Sequence, residues 1–335
     1  MKHLKQKIGI VGMASHLPKK VMTSSEIASM ANMPEEHIIS HLGFRQKRVA
    51  NHDEHPSTLA LKATKKLLRE TAFDISHIDF ILYCSNGIYD YQFWSPSAYI
   101  QHKIKAHKAF TFEITNRCNS AIAGMYLASH LFSNNAFQYG LIIVSDTLSK
   151  LIDYRDKNSF PLFSFADGAS ALLLGKNVNS HIIKSQTMST DGRFAECNKL
   201  LLGGTKNRYS CDSNMYVSVD LNGKETTALR NGAMARNYIK VITKALKLAQ
   251  ITTSDIERFL INQNSVNIIN TVLRELDIPA DKTYSTRKNY GHIGAIDTLF
   301  ALEKCIRKKI VKKHDLVLLA STGIGYHWGA QVIEI

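Results

Sequence analysis

The sequence predicts an α/β fold whose sheets are covered by helices. Three observations carry this. Strand-like and helix-like segments alternate along the 335 residues. The strands read as continuous apolar runs, as strands buried on both faces do. The order of elements in the first half returns in the second, as in layered α/β architectures. With 44% hydrophobic residues the chain has ample core for one large domain or two of ordinary size.

The elements follow in order. "KIGIVGM" is a first strand; its apolar run is short and leads to His16 and Pro18, not to a cleavage site. "STLALKATKKLLRE" is a helix, because Leu59, Ala63 and Leu67 recur one turn apart, with Ser57 or Thr58 placed to cap it. "FILYC" and "AFTFEI" are strands, and the run after Cys118 is helical, with Ile122, Met125, Tyr126 and Ser129 on neighbouring turns. "LIIVSD" and "GASALLLG" are buried strands that close a first half, residues 1–176. The second half, residues 177–335, restarts with "HIIKSQTMSTDG". A polar stretch from Arg193 to Asn214 is too long for a tight turn and is expected to be a substrate-side loop. "NYIKVITKALKLAQ" is a helix that turns Tyr238, Val241, Ile242, Ala245 and Leu248 inward. "RFLINQ" is a strand, "VNIINTVLREL" a helix with Pro279 just beyond it, and "GAIDTLFALEKCIRKK" a helix. "LVLLAST" and "AQVIEI" are the closing strands.

The formal net charge is +14, and the densest basic stretch is "KCIRKKIVKK", from Lys304 to Lys313. It closes a helix, where cations meet the negative end of the macrodipole. No zinc-finger, recognition-helix or RNA-binding signature accompanies it, so nucleic acid is not expected as a partner. An acidic carrier protein or a phosphate-bearing ligand suits the charge. No apolar run reaches the length of a membrane span. The five cysteines (Cys84, Cys118, Cys197, Cys211 and Cys305) are odd in number, widely spaced and form no CxxC pair. Neither a zinc site nor a disulfide framework is indicated, and a reduced, cytoplasmic protein is expected.

One cysteine stands apart. In "FEITNRCNSAIAGM", Cys118 lies where a strand gives way to a helix, with Ser120, Ala121, Ala123 and Gly124 allowing close packing behind it. Unpaired N–H groups at a helix start stabilise a thiolate and lower its pKa. A buried structural thiol is the alternative. Three further stretches put polar groups at strand ends, where α/β sheets gather ligands. They are "FADGASALLLG", "LINQNSVNII" and "RKNYGHIGAID", the last carrying His292 between glycines.

With these stretches in view, the sequence resembles the β-ketoacyl-acyl-carrier-protein synthase III branch of the thiolase superfamily. The likeness runs over nearly the whole chain, through "LGFRQKRVA", the Cys118 elbow, "SDTLSK", "FADGASA" and "GIGYHWGAQVIEI". It implies a thiolase-like five-layered αβαβα fold of two pseudo-symmetric halves, usually a homodimer. It implies ping-pong chemistry, in which the cysteine takes an acyl group from a coenzyme A or acyl-carrier-protein thioester and passes it on, with no metal or other cofactor. The family pairs its cysteine with a histidine and an asparagine. The matching positions here hold Asn262, in "NQNS", and His292, in "YGH", so the pair is inverted. The resemblance gives Asn262 and His292 the task of donating to the second substrate's carbonyl. Only His292 can serve as a base. Backbone N–H groups of Cys118 and of Ile324 or Gly325 would form the acyl oxyanion hole.

Other positions bear on the donor. Where the family holds the adenine end of coenzyme A with a tryptophan and an arginine, this chain has His37 and His41. Arg45 is retained, Ser265 closes the "NQNS" stretch, and the usual following arginine is Asn267. A carrier-protein pantetheine is thus expected to be a better donor than coenzyme A. Arg117 either favours the thiolate by charge or turns into a surface pair. Phe93, Trp94 and Tyr99 fall where the family has its acyl tunnel or dimer contact, core packing being the alternative; Trp94 would narrow a tunnel. The expected activity is condensation of a Cys-bound acyl group with a malonyl-type thioester, in a specialised fatty-acid or polyketide-type pathway. The alternatives are acyl transfer to an oxygen, nitrogen or sulfur acceptor, and an inactive partner subunit of a heterodimeric synthase.

Overall fold

The computed structural model describes residues 7–208 and 216–335; Cys211 and part of the Arg193–Asn214 stretch lie outside them. Nine strands form the main sheet system: β1 (Ile8–His16), β2 (Phe80–Ser85), β3 (Phe110–Thr115), β4 (Tyr139–Thr147), β5 (Asp167–Lys176), β6 (Ile182–Thr190), β7 (Ile256–Ile261), β8 (Leu316–Gly323) and β9 (His327–Glu334). The first five lie side by side in the order β1-β5-β4-β2-β3, and the last four in the order β6-β9-β8-β7. The two sets touch through one residue pair, Gly9 opposite Ile182.

Each set repeats the other. The pairs β1/β5 and β5/β4 are antiparallel, while β4/β2 and β2/β3 are parallel. Likewise β6/β9 and β9/β8 are antiparallel and β8/β7 parallel. At the place of a fifth strand, Thr283 bridges to Phe259 in parallel.

Helices complete the layers: α1 (Glu35–Leu42), α2 (Pro56–Thr71), α3 (Pro96–Ile104), α4 (Ser120–Leu131), α5 (Met234–Ala249), α6 (Val266–Glu275) and α7 (Asp297–Arg307). Helix α2 covers one face of the first sheet, α5 covers the far face of the second, and α6 packs beside α5. Between the sheets lie α4, touching β2, β4 and β9, and α7, touching β1 and β7. The result is the αβαβα layering that the family resemblance implies. It explains why the first half of α4, from Ser120 to Met125, is buried on all sides, while Leu127 and His130 nearer its end are exposed. Its close seat depends on Gly124, where a Cβ would lie 2.5 Å from Cys84 Sγ.

One expected detail is corrected. Helix α2 begins at Pro56 rather than behind a Ser57 or Thr58 cap. Proline suits a first helical position because its missing N–H has no partner there anyway. Ser57 instead donates through Oγ to Asp90, at 2.6 Å.

Candidate active site

The strand ends of both halves converge on one region. Cys118 follows β3 and sits in a turn of 3-10 helix (Arg117–Asn119) that runs into α4. Arg117 adopts φ +55, a left-handed conformation unusual for a residue with a side chain, and this brings the next residue round to the strand ends. From the second half, Ser321 Oγ donates to the Cys118 carbonyl at 2.7 Å. Gly323 has no room for a Cβ against the Asn116 carbonyl, so the end of β8 presses on the cysteine turn.

A largely apolar cavity of about 220 Å³ opens there. Cys118, His292, Ser265 and Ile324 line it, with Phe165 and Met234 among its apolar walls. Gly325 follows Ile324 in the three-residue turn between β8 and β9. Cys118 is buried. Burial pushes its thiol well above the ordinary range, Asp146 and Asp297 act in the same direction, and Arg117 opposes them. Desolvation thus works against the thiolate that the helix start is expected to favour. Arg117 does not turn into a surface pair, because its Nη1 donates to the Asn86 carbonyl.

His292 is held from both ends. Its backbone pairs with the 164–166 segment, donating to the Ser164 carbonyl at 2.7 Å and accepting from Ala166 N at 2.9 Å. Its Nδ1 lies 2.5 Å from Asp297 Oδ2. Asp297 is itself fixed by N–H donors from Ile293 (2.8 Å) and Gln263 (2.7 Å). With Nδ1 donating to a carboxylate, Nε2 is the ring nitrogen free to take a proton.

Asn262 is placed differently from the expectation. It is buried beside the cavity, where Asn264 and Ser265 form the wall. Its Nδ2 donates to the Thr322 carbonyl at 3.2 Å. Its Oδ1 accepts from Tyr238 Oη and from Thr322 N. The amide that is expected to donate to substrate here joins α5 to β8.

The expected substrate contacts divide. His37 and His41 lie on exposed positions of α1 with ring centroids 4.1 Å apart, and Phe160 packs 5.1 Å from His37. A three-ring surface thus stands where sequence reading expects weakened stacking, and Phe160 is the residue it missed. Arg45 and Asn267 are exposed. Trp94 is outside the cavity wall and packs on Tyr91 and Tyr99, while Phe93 is fully exposed. In the single chain Trp94 therefore lies away from the Cys118 cavity. Tyr99 joins the apolar cluster between α2 and the first sheet.

Asp297, Asn86 and Asp146 also escaped sequence reading. Asp297 had a faint signal, an acid five residues past a glycine-flanked histidine. Asp146 closes a buried strand, and Asn86 is one polar residue after another, which marks nothing by itself. Among the described residues no group of three or more His, Cys, Asp or Glu is placed to hold a metal ion, and no helix is long and apolar enough to cross a membrane.

Comparison with known proteins bears on the family and the fold. Residues 112–192 match the family profile for 3-oxoacyl-[acyl-carrier-protein] synthase III, and residues 246–335 match that of its C-terminal part. The chain is 29% identical over 331 residues to a β-ketoacyl-[acyl-carrier-protein] synthase III of a Nostoc species, covering 98% of each chain. The Thermus thermophilus β-ketoacyl-[acyl-carrier-protein] synthase III structure superposes with TM-score 0.86 at 26% identity, covering 98% of this chain and 99% of that one. The 3-oxoacyl synthase III of Pseudomonas aeruginosa has the same fold, with TM-score 0.88 at 20% identity and 98% of both chains covered. Profile matches on both sides of the cavity, full-length relatives and a shared thiolase-like fold lead to one assignment: the chain belongs to the 3-oxoacyl-[acyl-carrier-protein] synthase III family of acyl-transferring enzymes.

Proposed function

We propose that this protein is a ping-pong synthase that carries its acyl group on Cys118 and condenses it with a malonyl-type thioester. The observation that supports this is the meeting of Cys118 and the Asp297-held His292 on one apolar cavity. Residues 1–176 supply the nucleophile and residues 177–335 the base. In the first half-reaction the Cys118 proton passes to His292 Nε2 as sulfur attacks the thioester carbonyl of a coenzyme A or carrier-protein donor. The oxyanion is met by backbone N–H groups of Cys118 and of Ile324 or Gly325. The pantetheine thiol leaves with the proton. In the second, a malonyl-type thioester loses carbon dioxide and its enolate carbon attacks the acyl carbonyl; the Cys118 sulfur leaves as a thiolate and takes a proton from water to restore the thiol.

A second reading has its own support. A histidine fixed by a carboxylate is a base suited to deprotonating an alcohol, amine or thiol acceptor, and Asn262 is turned away from the place of a second enolate donor. That reading is acyl transfer without decarboxylation. Intact-protein mass spectrometry with a panel of coenzyme A and carrier-protein donors tests both, with Cys118→Ala as control. A mass gain confined to the parent supports the carrier role, and no gain with any donor removes it. Carbon dioxide release on adding malonyl-carrier protein selects condensation; discharge onto an acceptor without it selects transfer.

The working unit in this reading is a homodimer in the cytoplasm. Strand β3 is the free edge of the first sheet and carries Phe112, which is 53% exposed. An open edge with an exposed ring suits pairing with a second copy. Phe112→Lys is expected to lower the sedimentation mass from dimer to monomer; an unchanged mass rejects this edge as the contact.

A further inference from the structure

We infer that Asn86 is the acceptor that holds the Cys118 thiol in its resting state, and that Asp146 is the positioning residue that decides which end of the Asn86 amide the sulfur meets. The inference concerns the reactive cysteine of the reading above and rests on it for its catalytic meaning.

Asn86 follows β2 directly, and each of its four polar groups has a partner. Its backbone N–H donates to Asp146 Oδ1 at 2.8 Å, and its Nδ2 donates to Asp146 Oδ2 at 2.8 Å. Its carbonyl accepts from Arg117 Nη1. Its Oδ1 lies 3.4 Å from Cys118 Sγ. An asparagine amide has a donating end and an accepting end of the same shape, and its partners choose between them. Above about pH 7 Asp146 is ionised, and a carboxylate can only accept. Both Asp146 oxygens are taken by Asn86 donors, so the amide oxygen is the end left for the sulfur. A Cβ on Gly294 would come within 3.2 Å of Asn86 Nδ2, so the glycine leaves the pair the space it needs.

The chemical consequence follows from what an amide oxygen can do. It accepts an S–H proton and offers nothing to a thiolate. The network therefore keeps Cys118 protonated and aimed until an arriving thioester and His292 draw the proton away. The charged and titratable groups around the sulfur are Asp146 on β4, Asp297 at the start of α7, Arg117 in the cysteine turn, His292, Tyr238 on α5 and Tyr326 in the β8–β9 turn. Asn86 is the neighbour with a neutral acceptor on the sulfur.

The test is a pH titration of thiolate ultraviolet absorbance in the full chain, with the absorbance of Cys118→Ala subtracted. Asn86→Leu keeps the volume and removes the acceptor; Asn86→Ser serves if near-ultraviolet dichroism shows that the leucine variant does not fold. The midpoint is expected to fall by about one pH unit, about tenfold more thiolate at a fixed pH below it. An unchanged or raised midpoint overturns the acceptor role. Asp146→Asn removes a charge in any background, so its effect is read twice. With an amide at residue 146, one oxygen accepts the Asn86 N–H and the NH₂ turns the Asn86 side chain over, presenting its donor to sulfur. The shift from Asp146→Asn is thus expected to be larger in the parent than in Asn86→Leu. Equal shifts mean that Asp146 acts by charge alone and overturn its positioning role. Acylation read in parallel separates the two claims. Shifted midpoints without acylation by any donor retain this inference and remove the carrier reading; acylation with unmoved midpoints does the reverse.

Discussion

Asp297 and Asp146 are both buried carboxyls beside Cys118, and they do different things. Asp297 fixes the tautomer of His292, so its loss leaves a histidine with no preferred ring orientation. Asp297→Asn is expected to lower the acyl discharge rate about a hundredfold, the ordinary weight of a positioned base. Single-turnover kinetics with pre-acylated protein would show it; an unchanged rate removes His292 as the base. Asp146 shows itself in stability. Burial raises its pKa from 3.8 to about 7. Between those values the folded chain keeps a proton that the unfolded chain has released. Its contribution is full below about pH 4 and is lost as pH rises to about 7. The loss is on the order of 4 kcal/mol, from about three pKa units. Urea midpoints of the parent and Asp146→Asn, compared across that range, should diverge as pH rises; parallel curves would refute the assignment. This also marks what sequence could tell. Cys118 and His292 were legible because each residue type sits at a break in periodicity. Asn86 and Asp146 were not, because a two-oxygen grip on one amide has no spacing.

At the scale of elements, legibility follows burial. Strands such as β4 and β8 were plain because strands between helix layers carry continuous apolar runs, here Leu141–Val144 and Leu316–Ala320. Helix α5 was plain because its inward face repeats with helical period, from Tyr238 to Ala245. The start of α2 was misread because Ser57 looks like a cap, while a distant carboxylate, Asp90, had the stronger use for its hydroxyl. The partners of Asn262 were hidden for a similar reason: Tyr238 and Thr322 lie on other elements. The seat of α4 allows a direct test. Gly124→Ala puts a methyl against Cys84 Sγ and Ile142, and is expected to cost about 1–3 kcal/mol as overpacking. The thermal midpoint should fall while acylation of the folded fraction persists. A midpoint at or above the parent's would mean that the helix shifts freely.

For the whole molecule, the repeat of strand order explains why the site lies on the seam. Both halves bring residues to the one cavity, and α4 and α7 lie between their sheets. The seam is stitched by side chains of the second half on the cysteine segment: Ser321 on the Cys118 carbonyl and Gln331 on that of Ile122, at 3.0 Å. The folding consequence is a matter of order in time. A chain is made from its first residue onward, so α4 leaves the ribosome long before the strands that will cover it. Until β8 and β9 appear, the segment bearing the cysteine has one apolar flank open to other chains, a recognised route to aggregation. Residues 1–176 made alone should therefore be largely insoluble, and soluble when residues 177–335 are made beside them. A soluble, monomeric first half would show instead that α4 finds cover within its own sheet. Placing the nucleophile early and its cover late makes the making of this enzyme, as much as its chemistry, depend on the second half arriving in time.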